Sequence, residues 1–187
     1  NELIAKGGTR KAEGEFGLAL LKRFSALKEA GQTIERLRSP YKDVMALFEG
    51  ADAVFAGFIK GNAKHTRALD AKLERARLLQ QKAEYQIKCI EMGWLPEGTN
   101  PNDVRKQIAE AYDTAVGLLK PVEDKIRKEK QEAEENTGVG SPLWEEKHHE
   151  LAVVWLNRLV ALYGKGAALP AGDSAAKGAL DQVLAEI

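Results

Sequence analysis

The residues of this chain best suited to bind a metal lie in one short run, residues 145–150, which holds two of its three histidines. Glu145 and His148 are three residues apart, and the Glu-His pair that ends at His149 repeats this spacing, so each pair shares one helix face. Helical di-iron sites use such a pair, but they need a second pair and two further carboxylates. His65, the third histidine, has no glutamate three residues before it, so we expect neither a metal nor a cofactor.

Other catalytic motifs are equally incomplete. The glycine-containing segments 7–9 and 164–166 lack the spacing to Lys and Ser/Thr that a phosphate-binding loop requires. There is no Gly-x-Ser-x-Gly nucleophile motif. The single cysteine, Cys89, lies between Ile87 and Ile90 on an apolar helix segment, which predicts a buried side chain and not a reactive thiol. We therefore expect no catalytic residues and a protein that is not an enzyme.

A basic segment offers an alternative function. The stretch from Lys60 to Lys88 holds eight Lys and Arg against three Asp and Glu, and such a helix face can follow a nucleic-acid backbone. The candidate contacts are Lys64, Arg67, Arg75 and Arg77. A basic helix face also pairs commonly with an acidic neighbour, and residues 123–135 offer one. The alternative to a structural role is thus a nucleic-acid-associated helical module.

Two apolar segments are candidates for contact with a partner. Trp94 and Leu95 lie in the turn 93–102, where a tryptophan either folds back on its own helices or docks into a partner. Residues 50–61 are rich in small and apolar side chains, which predicts core packing, with contact at a membrane surface as the alternative. The segment is too short to span a bilayer.

Apolar residues that recur three and four apart along most of the chain predict an all-α fold. We expect a long antiparallel helical hairpin or helical bundle with coiled-coil-like seams. Low aromatic content, 6%, favours seams filled by Ala and Leu. Three predicted stripes are Phe16, Leu20, Phe24, Leu27 and Ile34; Leu69, Leu73, Ala76, Ala83, Ile87 and Ile90; and Val104, Ile108, Ala111, Ala115, Leu118, Val122 and Ile126.

Helix-breaking residues suggest the domain organisation. Residues 1–10 are predicted to form a flexible arm, residues 11–135 a long helical body with a hairpin turn at 93–102, and residues 141–187 a C-terminal helical subdomain. The first helix should end near Leu37, with Ser39 and Pro40 starting the next. The glycines of that helix should either interrupt it near residue 50 or 61 or allow close contact with another helix. Asn62 to Met92 should form one charged helix. Pro121 should kink or split its helix, and residues 123–135 should be solvated.

Charge divides the chain into two unlike halves. Residues 1–93 hold 17 Lys and Arg against 12 Asp and Glu, a net charge of +5, and residues 94–187 hold 11 against 16, a net charge of −5. The two halves either neutralise each other within one molecule or match partners in a larger assembly.

These features together predict a non-enzymatic structural or interaction protein, a helical subunit that assembles with itself or within a larger protein complex. In its Ala- and charge-rich helical style the chain resembles internal and ejected components of bacteriophage virions, and no motif ties it to one family. A start at Asn1 suggests a processed or partial chain. The lone cysteine and the lack of a signal peptide suggest a reducing compartment or a virion, not secretion.

Overall fold

The computed structural model describes residues 8–35, 41–170 and 172–187, which form a bundle of helices in which each helix packs against the next. These residues contain no strand, so the predicted all-α class is confirmed. The helices are α1 (Gly8–Glu35), α2 (Tyr41–Gly61), α3 (Ala68–Glu91), α4 (Pro101–Thr137), α5 (Pro142–Ala168) and α6 (Ser174–Glu186).

Local sequence signals set the ends of the long helices. Asn100 caps α4 by accepting a hydrogen bond from the Asn102 backbone N–H, and Pro101 occupies the first turn. Ser141 caps α5 in the same way through the Trp144 N–H. Gly93 follows α3 with φ of +67°, a conformation that favours glycine and turns the chain toward α4.

Helix α3 lies at the centre of the bundle because two of its faces are buried. One face, with Leu78 and Tyr85, packs against α1 and α2 in a first core. The opposite face, with Ala76 and Ala83, packs against α4 and α5 in a second core. The predicted stripe on α3 is the face of the second core, and the face of the first core was not predicted.

The first core is rich in aromatic side chains that α1 and α2 contribute. Phe48, Phe55 and Phe58 are almost completely buried, and the Phe16 and Phe58 ring centroids are 5.7 Å apart. Alanines at heptad spacing on α1 let it approach α2 closely; they are Ala12, Ala19 and Ala26. This arrangement corrects the predicted α1 stripe, because Phe24 is 57% exposed instead of buried.

The second core is built from smaller side chains. Its fully buried members include Ala115, Ile108, Leu119 and Ala161, so the predicted Ala- and Leu-filled seam describes this half of the molecule. Helix α5 contributes to this core and thereby ties residues 141–187 to the helical body. The α4 and α5 axes run antiparallel, as shown by the hydrogen bonds from Lys165 to Asp113 and from Trp144 to Glu134.

One predicted helix boundary is confirmed and others are wrong. Helix α2 continues through Gly50 and ends at Gly61, so the interruption expected at one of these glycines is found at Gly61. The charged helix expected from Asn62 starts later, because turns occupy residues 62–67 before α3 begins at Ala68. Helix α4 runs unbroken through Pro121, which lacks only one backbone donor there. Residues 8–10 of the predicted arm belong to α1, whereas residues 1–7, Leu37, Ser39 and Pro40 lie outside the described residues. No helix in the described ranges is long and apolar enough to cross a bilayer.

Candidate interaction surface

The arginines of the predicted basic site have carboxylate partners within the molecule. Arg75 binds both carboxylate oxygens of Asp52, at 2.7 and 3.1 Å, and Arg77 binds Glu74 at 2.7 Å. Arg67 pairs with Asp70 at 3.0 Å, while Lys64 is exposed in the turn that precedes α3. The arginines of this segment are therefore engaged in ion pairs within the bundle.

The acidic partners of the basic segment lie on the first two helices and on α3 itself. Lys82 pairs with Glu49 of α2, and Arg67 also pairs with Glu13 of α1. Residues 123–135, which the sequence suggested as the partner, instead pair among themselves and with α5. That prediction is wrong because α3 turns its charged flank toward α1 and α2 and its apolar flank toward α4.

Trp94 and Leu95 fold back onto the helices that they connect. Both are partly buried, and both pack against the first core; Leu95 also contacts the second. Cys89, in the last turn of α3, is 1% exposed, and burial raises the pKa of its thiol. Phe55 and Phe58, within the candidate membrane segment 50–61, lie in the first core.

The histidine cluster lies at the start of α5. His148 is exposed and stacks on Trp144 with 4.9 Å between ring centroids. His149 lines a cleft of about 550 Å³ between α3, α4 and α5, whose apolar floor includes Leu73 and Ile126. The described part of the chain contains no group of three or more His, Cys, Asp or Glu able to hold a metal ion.

Four charged side chains that no sequence motif marks form a cluster between α4, α5 and α6. Arg158 of α5 is buried and binds Glu123 of α4 and Glu186 of α6, and Arg127 binds Glu123 at 2.8 Å. We call these four residues the Glu123 cluster. Glu123 is 1% exposed and Ala133 3%, so residues 123–135 are solvated as expected except at these two positions. The cluster joins three helices, as a buried and fully paired ionic group can.

Hydrogen bonding sets the protonation of the Glu123 cluster. Burial by itself raises the pKa of Glu123, but hydrogen bonds from Arg158 and Arg127 outweigh burial and lower it. The hydrogen bond from Arg158 likewise lowers the pKa of Glu186. Both carboxylates and the guanidinium are therefore charged at neutral pH, and each is neutralised by its partners.

An apolar strip runs along the outer side of α5. Leu156, Val160 and Tyr163 follow one another at helical spacing and are 57%, 49% and 60% exposed. Between residues 151 and 164 the only charged residue is Arg158, which points inward to Glu123. The outer side of α5 therefore presents no charge over about three turns.

Helix α6 carries exposed apolar side chains near its C-terminus, which is bound to the middle of α5. Glu186 binds Trp155 and Arg158, and so it anchors the α6 C-terminus beside Leu156. Leu184 and Ile187 flank Glu186 in sequence and are 73% and 86% exposed. We call Leu156, Val160, Tyr163, Leu184 and Ile187 the α5–α6 face.

A smaller apolar pair is exposed on α1. Leu21 and Phe24 lie one turn apart and are 66% and 57% exposed. The guanidinium of Arg23 lies 5.8 Å from the centroid of the Phe24 ring and binds Glu74 on α3. We call Leu21 and Phe24 the α1 face.

The ion pairs of the described residues form within each sequence half. Every ion pair between described residues joins two partners that both precede Gly93 or both follow it. The second core, where the halves meet, is apolar. Direct ion pairs between described residues therefore form within each half and not between the halves.

Comparison of the chain with protein-family models, with curated proteins and with solved structures finds no match. The α5–α6 face is thus the candidate functional surface on the grounds of its geometry and composition alone.

Proposed function

We propose that this protein is a non-enzymatic structural protein that assembles with copies of itself through the α5–α6 face. The observation that carries the proposal is the uncharged outer side of α5, where Leu156, Val160 and Tyr163 are each about half exposed or more. The largest exposed apolar patch of a protein is often an interaction site.

Placement on a rigid helix suits this surface to protein docking. Helix α5 is held from beneath by the second core and from one side by α6, so the apolar strip needs little reordering when it binds. Tyr163 offers an aromatic ring together with a hydroxyl, a combination that is enriched at interfaces. Leu156, Val160 and Tyr163 project at spacings of four and then three residues, and side chains at these spacings can insert between those of another helix.

The charged residues of the molecule support a structural role. The buried charged groups of the described residues, Glu123 and Arg158, are bound to each other and to α6. They join α4, α5 and α6 within one molecule, a structural use that accounts for their burial without a catalytic one. Membership in a virion stays a prediction from composition.

The nucleic-acid alternative has weaker support. Arg67, Arg75, Arg77 and Lys82 are four of the eight basic residues between positions 60 and 88, and each has an acidic partner in the bundle. Binding to phosphates would have to compete with these pairs. Titration with DNA at increasing salt tests it, since phosphate contacts predict a steep loss of affinity.

Sedimentation of paired variants tests the proposed function. In L156E/V160E two exposed apolar side chains become carboxylates while helix propensity is kept. Val139 is also exposed and apolar but lies in the α4–α5 loop, so V139E is the matched control. We expect wild type and V139E to sediment above the monomer mass of 20.5 kDa and L156E/V160E to sediment at it, with an unchanged helical circular dichroism spectrum. An assembly that survives L156E/V160E would contradict the proposal.

A further inference from the structure

We infer that the surface that receives the α5–α6 face is the α1 face of a second copy, so that copies join head to tail. The inference rests on the proposed function, because it names the partner surface for the same assembly. It concerns two different patches of one chain, which makes the contact heterologous and not two-fold symmetric.

The first argument is the position of the α1 face. Helix α1 packs against α2 and α3, whereas α5 packs against α4 and α6. The cores that hold α1 and α5 lie on opposite faces of α3. The α1 face and the α5–α6 face therefore cannot contact each other within one molecule. Each face is available to a neighbour on its own side of the bundle.

The second argument is the fit of the two apolar surfaces. On α1, Leu21 and Phe24 are two large side chains on successive turns, and Gly17 lies one turn before Leu21 with open space where a side chain would be. A gap beside two projecting side chains can admit projections from a facing helix. Val160 and Tyr163 on α5 are projections with the same one-turn spacing.

The third argument is electrostatic. The half that carries α1 has a net charge of +5 and the half that carries α5 and α6 has −5, and no ion pair between described residues joins them. Exposed Lys22 and Lys28 flank the α1 face. Exposed Asp181 lies one turn before Leu184, and exposed Glu145 lies three turns before Leu156 on the same side of α5.

These charges favour one mode of assembly over the other. A two-fold contact between two α5–α6 faces would set Glu145 and Asp181 of one copy near the same carboxylates of the other. A head-to-tail contact instead brings these carboxylates near Lys22 and Lys28, which favours association over the range that salt does not screen. Since a head-to-tail contact leaves one face free at each end, it builds rings or filaments instead of closed dimers.

Two variants with one defective face each separate the two modes. L21E/F24E removes the α1 face and leaves the α5–α6 face intact, while L156E/V160E does the reverse. Head-to-tail assembly predicts that each variant alone sediments as a monomer. It also predicts that an equimolar mixture forms a one-to-one dimer through the two intact faces, with V139E again assembling like wild type. Raising salt from about 0.1 M to about 1 M, which shortens the screening length from about 10 Å to about 3 Å, should weaken this dimer.

The outcomes distinguish failure of the inference from failure of the proposed function. If L21E/F24E alone assembles as wild type does, the partner surface is not the α1 face and the head-to-tail mode is overturned, while the α5–α6 face stays the docking surface. If the mixture stays monomeric although each variant keeps its helical spectrum, the head-to-tail mode is also overturned. If wild type itself sediments as a monomer at every concentration, the proposed function fails.

Discussion

The two cores of this bundle treat charge and apolar surface in opposite ways. Around the first core, large aromatic rings are buried and the charged residues lie in part-exposed ion pairs between helices, as Arg75 and Asp52 do. Around the second core, the ion pair of Glu123 and Arg158 is buried, while Leu156 and Tyr163 are exposed. The first half thus exposes fewer large apolar side chains, chiefly those of the α1 face, whereas the second half presents the larger α5–α6 face.

The largest expected effect comes from placing a charge in the second core, whereas the same charge on the α5–α6 face should have little effect. Ile108 is fully buried in the second core, so I108D places a carboxylate without a partner in an apolar interior and should cost several kcal/mol, enough to unfold the domain. The side chain of Leu73 is only partly buried beside the cleft, so L73D should lower the free energy of unfolding by less than I108D does. L184D on the α5–α6 face is the exposed control and should change the midpoint of urea unfolding little. An I108D variant with wild-type urea unfolding would show that the second core is misplaced.

The Glu123 cluster gives the next largest effect. R158M leaves Glu123 buried without its main partner and should cost about 3–5 kcal/mol of unfolding free energy. The exposed pair of Lys128 and Glu132 provides the control, because K128M should change stability by about 0.5 kcal/mol or less. Equal effects of the two substitutions in chemical denaturation would argue against a buried ionic cluster.

The dependence of stability on pH in the acid range should also test the Glu123 cluster. Because the pKa values of Glu123 and Glu186 are lowered by folding, the unfolded chain binds more protons between those values and the ordinary value of 4.5. Their contribution to stability is present above pH 4.5 and is lost as the pH falls through the folded values. We expect wild type to lose stability over this acid range more steeply than R158M, as measured by urea unfolding at a series of pH values. Parallel pH profiles would contradict the assignment.

A matched pair of glycine substitutions gives the smallest effects. A Cβ at Gly164 of α5 would lie 2.5 Å from the Tyr112 ring, so G164A should destabilise the second core by about 1–3 kcal/mol. A Cβ at Gly57 of α2 would meet nothing within 4 Å, so G57A should stabilise its helix by about 1 kcal/mol. Thermal melting checks both signs. A stabilising G164A would mean that α5 does not approach α4 as closely as described.

The sequence predicted the helical class and the buried face of α4, where a single apolar stripe that includes Ile108 and Ala115 is buried. It failed in part where a helix has apolar residues on more than one side. In α3 both sides are buried, whereas in α1 alanines such as Ala19 face the core and Phe24 does not. Spacing identifies a face, but only tertiary packing decides which of two faces is covered.

The candidate surface escaped prediction for a related reason. Leu156, Val160 and Tyr163 lie among other apolar residues of α5, including buried Leu159 and Leu162, so composition does not separate the outer side from the core side. The useful signal was the near absence of charge between residues 151 and 164. The burial of Glu123 was not predicted either, because Glu123 begins a highly charged run and its partner Arg158 is 35 residues away.

Light scattering combined with small-angle X-ray scattering on the wild-type chain over a range of concentrations tests the central claim most directly. Assembly through the α5–α6 face predicts a mass that rises above 20.5 kDa with concentration, in particles that are longer than one bundle. A mass of 20.5 kDa and the dimensions of a single bundle at every concentration would contradict it.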